Sequence, residues 1–285
     1  MSFSYSQKQI GDLSLSVSET ASDSPTLVML HGVTRRWQTF LPIAASLAMR
    51  HRLTAVDFRG HGRSDRGDDG YAVTNYVDDI CGLIQQHIDG PVSLYGHSLG
   101  AMTAAGVAAR LGTRISSVVL EDPPLHTMGT RIAETPLLSY FTGVSAFAGD
   151  SRPVGEVAVE LGDTEFSNPE TGARFRIRAT RDDAQLRFAA SCLKLLDPAV
   201  FDPILNSAWL DGYDVDDVFT NLKCPALLLQ ADYSAGGMLT DKDAEHVTSL
   251  NSNVVRVPFP GTAHGIHWSA TEKLMNTVLP FLESV

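Results

Sequence analysis

The sequence predicts an α/β protein: a mostly parallel sheet covered by helices on both faces, with one inserted helical segment. Three observations carry this reading. Continuous apolar runs at 25–30, 91–94, 115–120 and 225–230 have the character of strands buried on both faces. Segments of helical spacing separate them. The alternation stops between residues 125 and 215 and then resumes.

The elements follow in order. Residues 1–20 alternate apolar and polar in two bursts around Gly11-Asp12, which predicts a β-hairpin. The strand at 25–30 runs into His31-Gly32. Trp37 to Met49 has helical spacing, with Pro42 suited to a first turn. A strand at 52–57 closes on the Gly-rich turn Arg59-Gly60-His61-Gly62-Arg63-Ser64-Asp65, and a helix from Tyr71 to Ile88 follows. After the strand at 91–94 comes an Ala-rich, helix-prone run ending near Leu111. The strand at 115–120 ends at Glu121-Asp122-Pro123-Pro124. Beyond the insertion come a strand at 225–230, a helix from Asp241, a short strand at 254–258 and a closing helix from Ser269 to Leu282. The expected division is a core of residues 1–124 and 216–285 and a helical cap of residues 125–215. No internal repeat or low-complexity segment occurs.

Composition narrows the function. With 285 residues and 44% hydrophobic content, the chain is long enough for one large domain plus an insertion. A net charge of −11 argues against nucleic-acid or anionic-membrane partners, both of which need clustered cations. Cys81, Cys192 and Cys224 are irregularly spaced, neither a disulfide framework nor a zinc set, so free thiols in a cytoplasmic protein are expected. The N-terminus lacks the basic and apolar regions of a signal peptide, and no apolar run reaches the ~18 residues of a membrane span. No metal site or cofactor is expected, and the sequence leaves the oligomeric state open.

On parallel sheets of this kind ligands bind beyond the carboxyl ends of the strands, and the chemistry-bearing loops fall there. Gly96-His97-Ser98-Leu99-Gly100 joins a buried strand to a helix, the setting of a nucleophile elbow. The tight turn needs glycine on both sides of Ser98 and places its hydroxyl at a helix N-terminus. A serine hydroxyl needs a base. His264, in the loop Pro260-Gly261-Thr262-Ala263-His264-Gly265, is the best placed of the nine histidines, and His267 is its rival. The oxyanion of a tetrahedral intermediate needs two donors. The backbone N–H groups of Leu99 and Val33 fit, with His31 read as a brace for the second loop.

The acid that orients the histidine has two candidates. Asp232 follows the Leu-rich strand, and Asp122 follows the strand before it. Asp57 is read as capping the Gly-rich turn, and Glu121 points away from Asp122 by strand alternation.

His31-Gly32, the segment Asp57-Phe58-Arg59-Gly60-His61-Gly62-Arg63-Ser64-Asp65, the Ser98 elbow and the His264 loop together resemble the α/β-hydrolase superfamily. The resemblance implies an eight-stranded, mostly parallel sheet, a helical cap and a catalytic triad in the order Ser, acid, His. The chain departs from the family pattern at the acid. Ala231 stands where relatives usually have glycine, Ser234 stands where the acid is expected, and Asp232 comes two residues early. The commoner family arrangement favours Asp232, whereas Asp122 matches relatives whose acid lies one strand earlier.

These readings describe a cofactor-free serine hydrolase acting on a small or medium ester-like substrate. Amide, lactone or thioester hydrolysis is the nearer alternative, and a slow-turnover small-molecule receptor of the same fold the more distant one. Trp37, His97, Tyr140, Phe141, Trp209 and His267 are candidates for lining the substrate pocket, with Phe147, Phe166, Phe201 and Trp268 nearby; packing of the cap onto the core is the competing reading. Arg174, Arg176, Arg178 and Arg181 are close enough in sequence to pair a substrate carboxylate, although a solvated face explains them as well.

Overall fold

The computed structural model describes residues 2–68 and 70–285; Met1 and Asp69 lie outside it. The opening hairpin forms as β1 (Phe3–Ile10) and β2 (Leu13–Thr20), turning at Gly11. Next come β3 (Thr26–Leu30), α1 (Leu41–Leu47), β4 (Arg52–Val56), α2 (Val73–His87), β5 (Val92–His97), α3 (Leu99–Leu111) and β6 (Ile115–Glu121). The segment beyond β6 holds α4 (Pro136–Ser145), α5 (Val154–Asp163), the short pair β7 (Glu165–Ser167) and β8 (Arg174–Arg176), α6 (Asp183–Leu193), α7 (Asp202–Leu205) and α8 (Val215–Thr220). The alternation resumes with β9 (Ala226–Ala231), α9 (Asp241–Leu250), β10 (Val254–Phe259), α10 (Ile266–Ser269) and α11 (Thr271–Glu283).

Eight strands form one sheet in the order β1-β2-β4-β3-β5-β6-β9-β10. The β1–β2 and β2–β4 pairs are antiparallel and the remaining pairs parallel. The central strands read as unbroken apolar runs because both faces are covered. On one face Val28, Leu94, Val118 and Leu228 pack with α2, α3 and the segment between β6 and β9. On the other, Met29, Tyr95, Val119 and Leu229 pack with α1 and α11. Burial of each such side chain stabilises the fold by roughly 1.5–3 kcal/mol.

One predicted helix is divided, and the closing one begins two residues late, after an extra helical turn at Ile266–Ser269. Over 37–49 the chain makes a 3-10 turn at Trp37–Phe40 before α1, with Pro42 in the first turn of α1 where its missing N–H is harmless. The break between that turn and α11 falls at Ala270, whose φ −136°, ψ 40° lies outside the helical region. Among the described residues no helix is long and apolar enough to cross a membrane.

Candidate active site

Adjacent parallel strands end together, so the loops after β3, β5, β6, β9 and β10 meet at one edge of the sheet. Ser98 sits between β5 and α3 at φ 57°, ψ −117°, a strained backbone for a non-glycine residue. The strain is imposed by close packing. A Cβ on Gly96 would lie 2.1 Å from the Gly100 carbonyl oxygen, and one on Gly100 would lie 1.8 Å from that of Leu30. Ser98 N donates to the Glu121 carbonyl at 2.9 Å, pinning the turn to the neighbouring strand. The side chain is nearly enclosed, with the residue 2% exposed.

The loop after β3 lies against this turn: a Cβ on Gly32 would come within 3.1 Å of the Ser98 Cβ. Among the described residues neither the Val33 nor the Leu99 amide has a protein acceptor. His31 braces the loop. Its Nδ1 pairs with the Gly32 carbonyl at 2.8 Å, and Phe58 N donates to its Nε2 at 3.1 Å, which makes the ring neutral with the proton on Nδ1. Burial drives its pKa well below the usual histidine range. Asp57 caps the Gly-rich turn as expected, accepting from Trp37 N at 2.9 Å and Arg63 N at 3.1 Å.

His264 Nδ1 lies 2.6 Å from Asp122 Oδ2. The Asp122 carboxylate is fully buried and also accepts from Met238 N (2.8 Å), Ala231 N (3.2 Å) and Leu239 N (3.3 Å). With Nδ1 engaged, Nε2 is the ring nitrogen left for proton transfer. The alternative acid is elsewhere. Asp232 Oδ1 accepts from Ser234 N (2.9 Å) and Ser234 Oγ (2.6 Å), and its Oδ2 accepts from Gly261 N (2.8 Å). Those bonds, with Ser234 foremost, hold its pKa below the usual carboxylate value. The placing of Asp232 behind the histidine is therefore corrected: its side chain staples the turn after β9 to the loop that carries His264.

A second histidine–carboxylate pair lies on the opposite side of β6. Glu121 accepts from Tyr95 Oη (2.5 Å), His267 N (2.9 Å) and His267 Nδ1 (2.8 Å). Burial would raise the Glu121 pKa, but the neighbouring histidines, His267 foremost, and these hydrogen bonds outweigh it and hold the group at about 2. His267 Nε2 is 3.0 Å from Thr39 Oγ1, and His97 Nε2 lies 3.1 Å from the His264 carbonyl. Ligand atoms of His97, Glu121 and His267 fall within 4.8 Å of one another; both His267 nitrogens and the Glu121 carboxylate are engaged in the hydrogen bonds above, whereas the buried His97 Nδ1 has no hydrogen-bond partner among the described residues.

Several of the residues expected to line the pocket pack against protein neighbours. Trp37 packs on Phe3 of the hairpin with ring centroids 4.6 Å apart. Phe141 packs near Phe201, with centroids 6.2 Å apart, and Trp209 is buried in the larger apolar cluster. His267 is committed to Glu121. Each of these large side chains is spent on packing within its own layer, which composition alone does not distinguish from lining a pocket. The arginine cluster divides. Arg174, Arg176 and Arg178 pair with Glu165 and Asp163 on the exposed face of the inserted segment. Arg181 instead donates to Tyr140 Oη at 2.6 Å. Arg35, which the sequence reading did not single out, interacts with the same hydroxyl.

The alpha/beta hydrolase family model matches residues 27–276, and the chain belongs to this family. Over 113 residues it is 41% identical to the 2-(acetamidomethylene)succinate hydrolase of Mesorhizobium japonicum, a match covering 40% of each chain. The matched region thus spans about two-fifths of that relative's length. Two crystal structures share the fold over nearly the whole chain. One is an E-2-(acetamidomethylene)succinate hydrolase (TM-score 0.75, 23% identity, 99% of both chains). The other is an N-formylmaleamic acid deformylase from Pseudomonas putida S16 (TM-score 0.76, 19% identity, 97% of this chain and 100% of the other).

Proposed function

We propose that the chain is a serine hydrolase that cleaves a small or medium carboxylic ester through a Ser98 acyl-enzyme. The observation that carries this is the 2.6 Å bond from His264 to a buried carboxylate, at the same sheet edge as the strained Ser98 turn. His264 Nε2 takes the Ser98 proton as Oγ attacks the acyl carbon. The oxyanion is met by the Val33 and Leu99 amides, each worth on the order of 10²–10³ in rate. The protonated ring, stabilised by Asp122, returns the proton to the leaving alcohol. A water activated by His264 then releases the acid. Residues 125–215 act as the cap, which must move to admit substrate because Ser98 is nearly enclosed.

Amide cleavage is the second reading. It is favoured by the names of the acetamidomethylene succinate hydrolase and the formylmaleamic acid deformylase, which share this fold. The test is labelling by a fluorophosphonate probe, followed by turnover of p-nitrophenyl esters of rising chain length. Labelling that maps to Ser98, and turnover abolished in Ser98→Ala, is the expected result. A folded protein that neither labels nor turns over esters or amides, yet binds small acyl compounds, would be a receptor.

A further inference from the structure

Most arginines of the inserted segment have carboxylate partners; Arg181 does not, nor does Arg35 of the core loop that approaches the same tyrosine. What sets this pair apart is that both cations act on one hydroxyl. Arg181, just before α6, donates to Tyr140 Oη and lies over the Tyr140 ring with its guanidinium carbon 5.3 Å from the centroid. Arg35 comes from the core side, its Nη1 donating to the Thr34 carbonyl at 3.4 Å, near enough for its charge to act on Arg181 and on the Tyr140 hydroxyl. Among the described residues no carboxylate lies within ion-pair distance of either guanidinium, and both are only partly exposed.

A phenol satisfies hydrogen-bond geometry without neutralising charge. Each guanidinium therefore feels the other: burial and then the Arg181 charge push the Arg35 pKa down. Burial would raise the Tyr140 hydroxyl, yet the two cations outweigh it and lower its pKa. A planar anion bridging the two guanidiniums would relieve this repulsion, and a carboxylate matches their forked donors.

The position bears on chemistry. Arg35 N donates to the Gly32 carbonyl at 3.1 Å, closing a tight turn around Val33 in which Thr34 takes φ 63°. The turn that offers the Val33 amide therefore also fixes Arg35, two residues on. Tyr140 in α4 and Arg181 bring the other half of the group from the inserted segment.

We propose that Arg35 and Arg181, converging on the Tyr140 hydroxyl, anchor a carboxylate of the substrate, so that the bond cleaved is an ester or amide of a short acid carrying a second, free carboxylate. This rests on the serine-hydrolase reading for the cleavage step, but the anchor can be tested without it.

Hydrolysis of monomethyl succinate and of methyl 4-methylpentanoate, in which an uncharged isopropyl group of the same shape replaces the carboxylate, is followed by pH-stat in the wild type, Arg181→Met, Arg181→Lys and Arg35→Met. The expected kcat/KM is at least tenfold higher for monomethyl succinate. Arg181→Met and Arg35→Met should each remove most of that preference, mainly through KM, with partial rescue in Arg181→Lys. Arg35 lies in the oxyanion turn, so the Arg181 variants carry the result if Arg35→Met fails to fold. In parallel, succinate binding to Ser98→Ala and to Ser98→Ala/Arg181→Met is measured by calorimetry, with dimethyl succinate as the uncharged control. Binding of succinate alone, weakened at least tenfold by Arg181→Met, supports the anchor even if neither ester is cleaved; in that case the ester reading fails and the anchor stands. Equal turnover of both esters, or no succinate binding, overturns the anchor, and the first of these leaves the serine hydrolase intact.

Discussion

An imidazole is only as well oriented as the carboxylate behind it, and Asp122 is held by three backbone amides in addition to His264. Asp122→Asn keeps the size but replaces one accepting oxygen with a donating NH₂, which faces either a backbone N–H or the ring Nδ1–H. The ring is then biased to the wrong tautomer. A fall in kcat of roughly 10³–10⁴-fold with intact circular dichroism is expected. Asp232→Asn should lose less than tenfold, because the Asp232 oxygens hold Ser234 and Gly261 rather than the ring. Steady-state kinetics of the two variants on one ester separate the roles, and a larger loss in Asp232→Asn would reverse the assignment. Both aspartates end buried strands, so the sequence offered two equal-looking carboxylates. The deciding fact is tertiary: Asp122 takes φ 45° after the alternation that sends Glu121 to the opposite face, toward His267. Arg35 was illegible for the same reason, since its significance lies in what fails to neutralise it.

At the scale of elements, legibility follows how local the cause is. The strands around Ser98 were readable because burial on both faces leaves an apolar run, and the elbow because two glycines at fixed spacing have a steric cause. The pair β7–β8 was not, since three-residue strands carry no periodicity. Nor was the break at Ala270, which follows a segment tied to β6 through Glu121 and to Thr39 through His267 and Trp268. The elbow makes the sharpest structural prediction. An alanine at position 100 would drive its methyl into the Leu30 carbonyl, which is main chain in the centre of the sheet and has nowhere to go. Gly100→Ala is expected to cost about 3 kcal/mol or more, in the range of overpacked cores. For a chain of this size that is a fall in Tm of about 5 °C or more. Scanning calorimetry measures it directly, and an unchanged Tm would mean that the strand and helix are not packed as described.

For the molecule as a whole, the buried histidines set the response to acid. His31, His61 and His97 are almost wholly buried, and burial, the largest influence on each, lowers their pKa, to about 4 in the case of His61. The unfolded chain takes up a proton on each below about pH 6.5, whereas the folded chain does not. Stability contributed by keeping them neutral is therefore complete above pH 6.5 and declines as the pH falls. Each proton difference contributes a slope of about 1.4 kcal/mol per pH unit until the folded group itself titrates. For His61 the decline extends to about pH 4. Glu121 acts in a lower window: its pKa of about 2 makes its contribution full above roughly pH 4.5, so it opposes nothing between pH 5 and 7. Urea midpoints followed by circular dichroism should thus fall from pH 7 to 6 and again from 6 to 5, and dilute protein keeps precipitation from obscuring them as the net charge of −11 is lost. Constant midpoints across that range would show that these rings are protonated in the folded chain. His31 braces the loop of Val33 and His97 meets the backbone of His264, so keeping these rings neutral also preserves the two loops flanking Ser98.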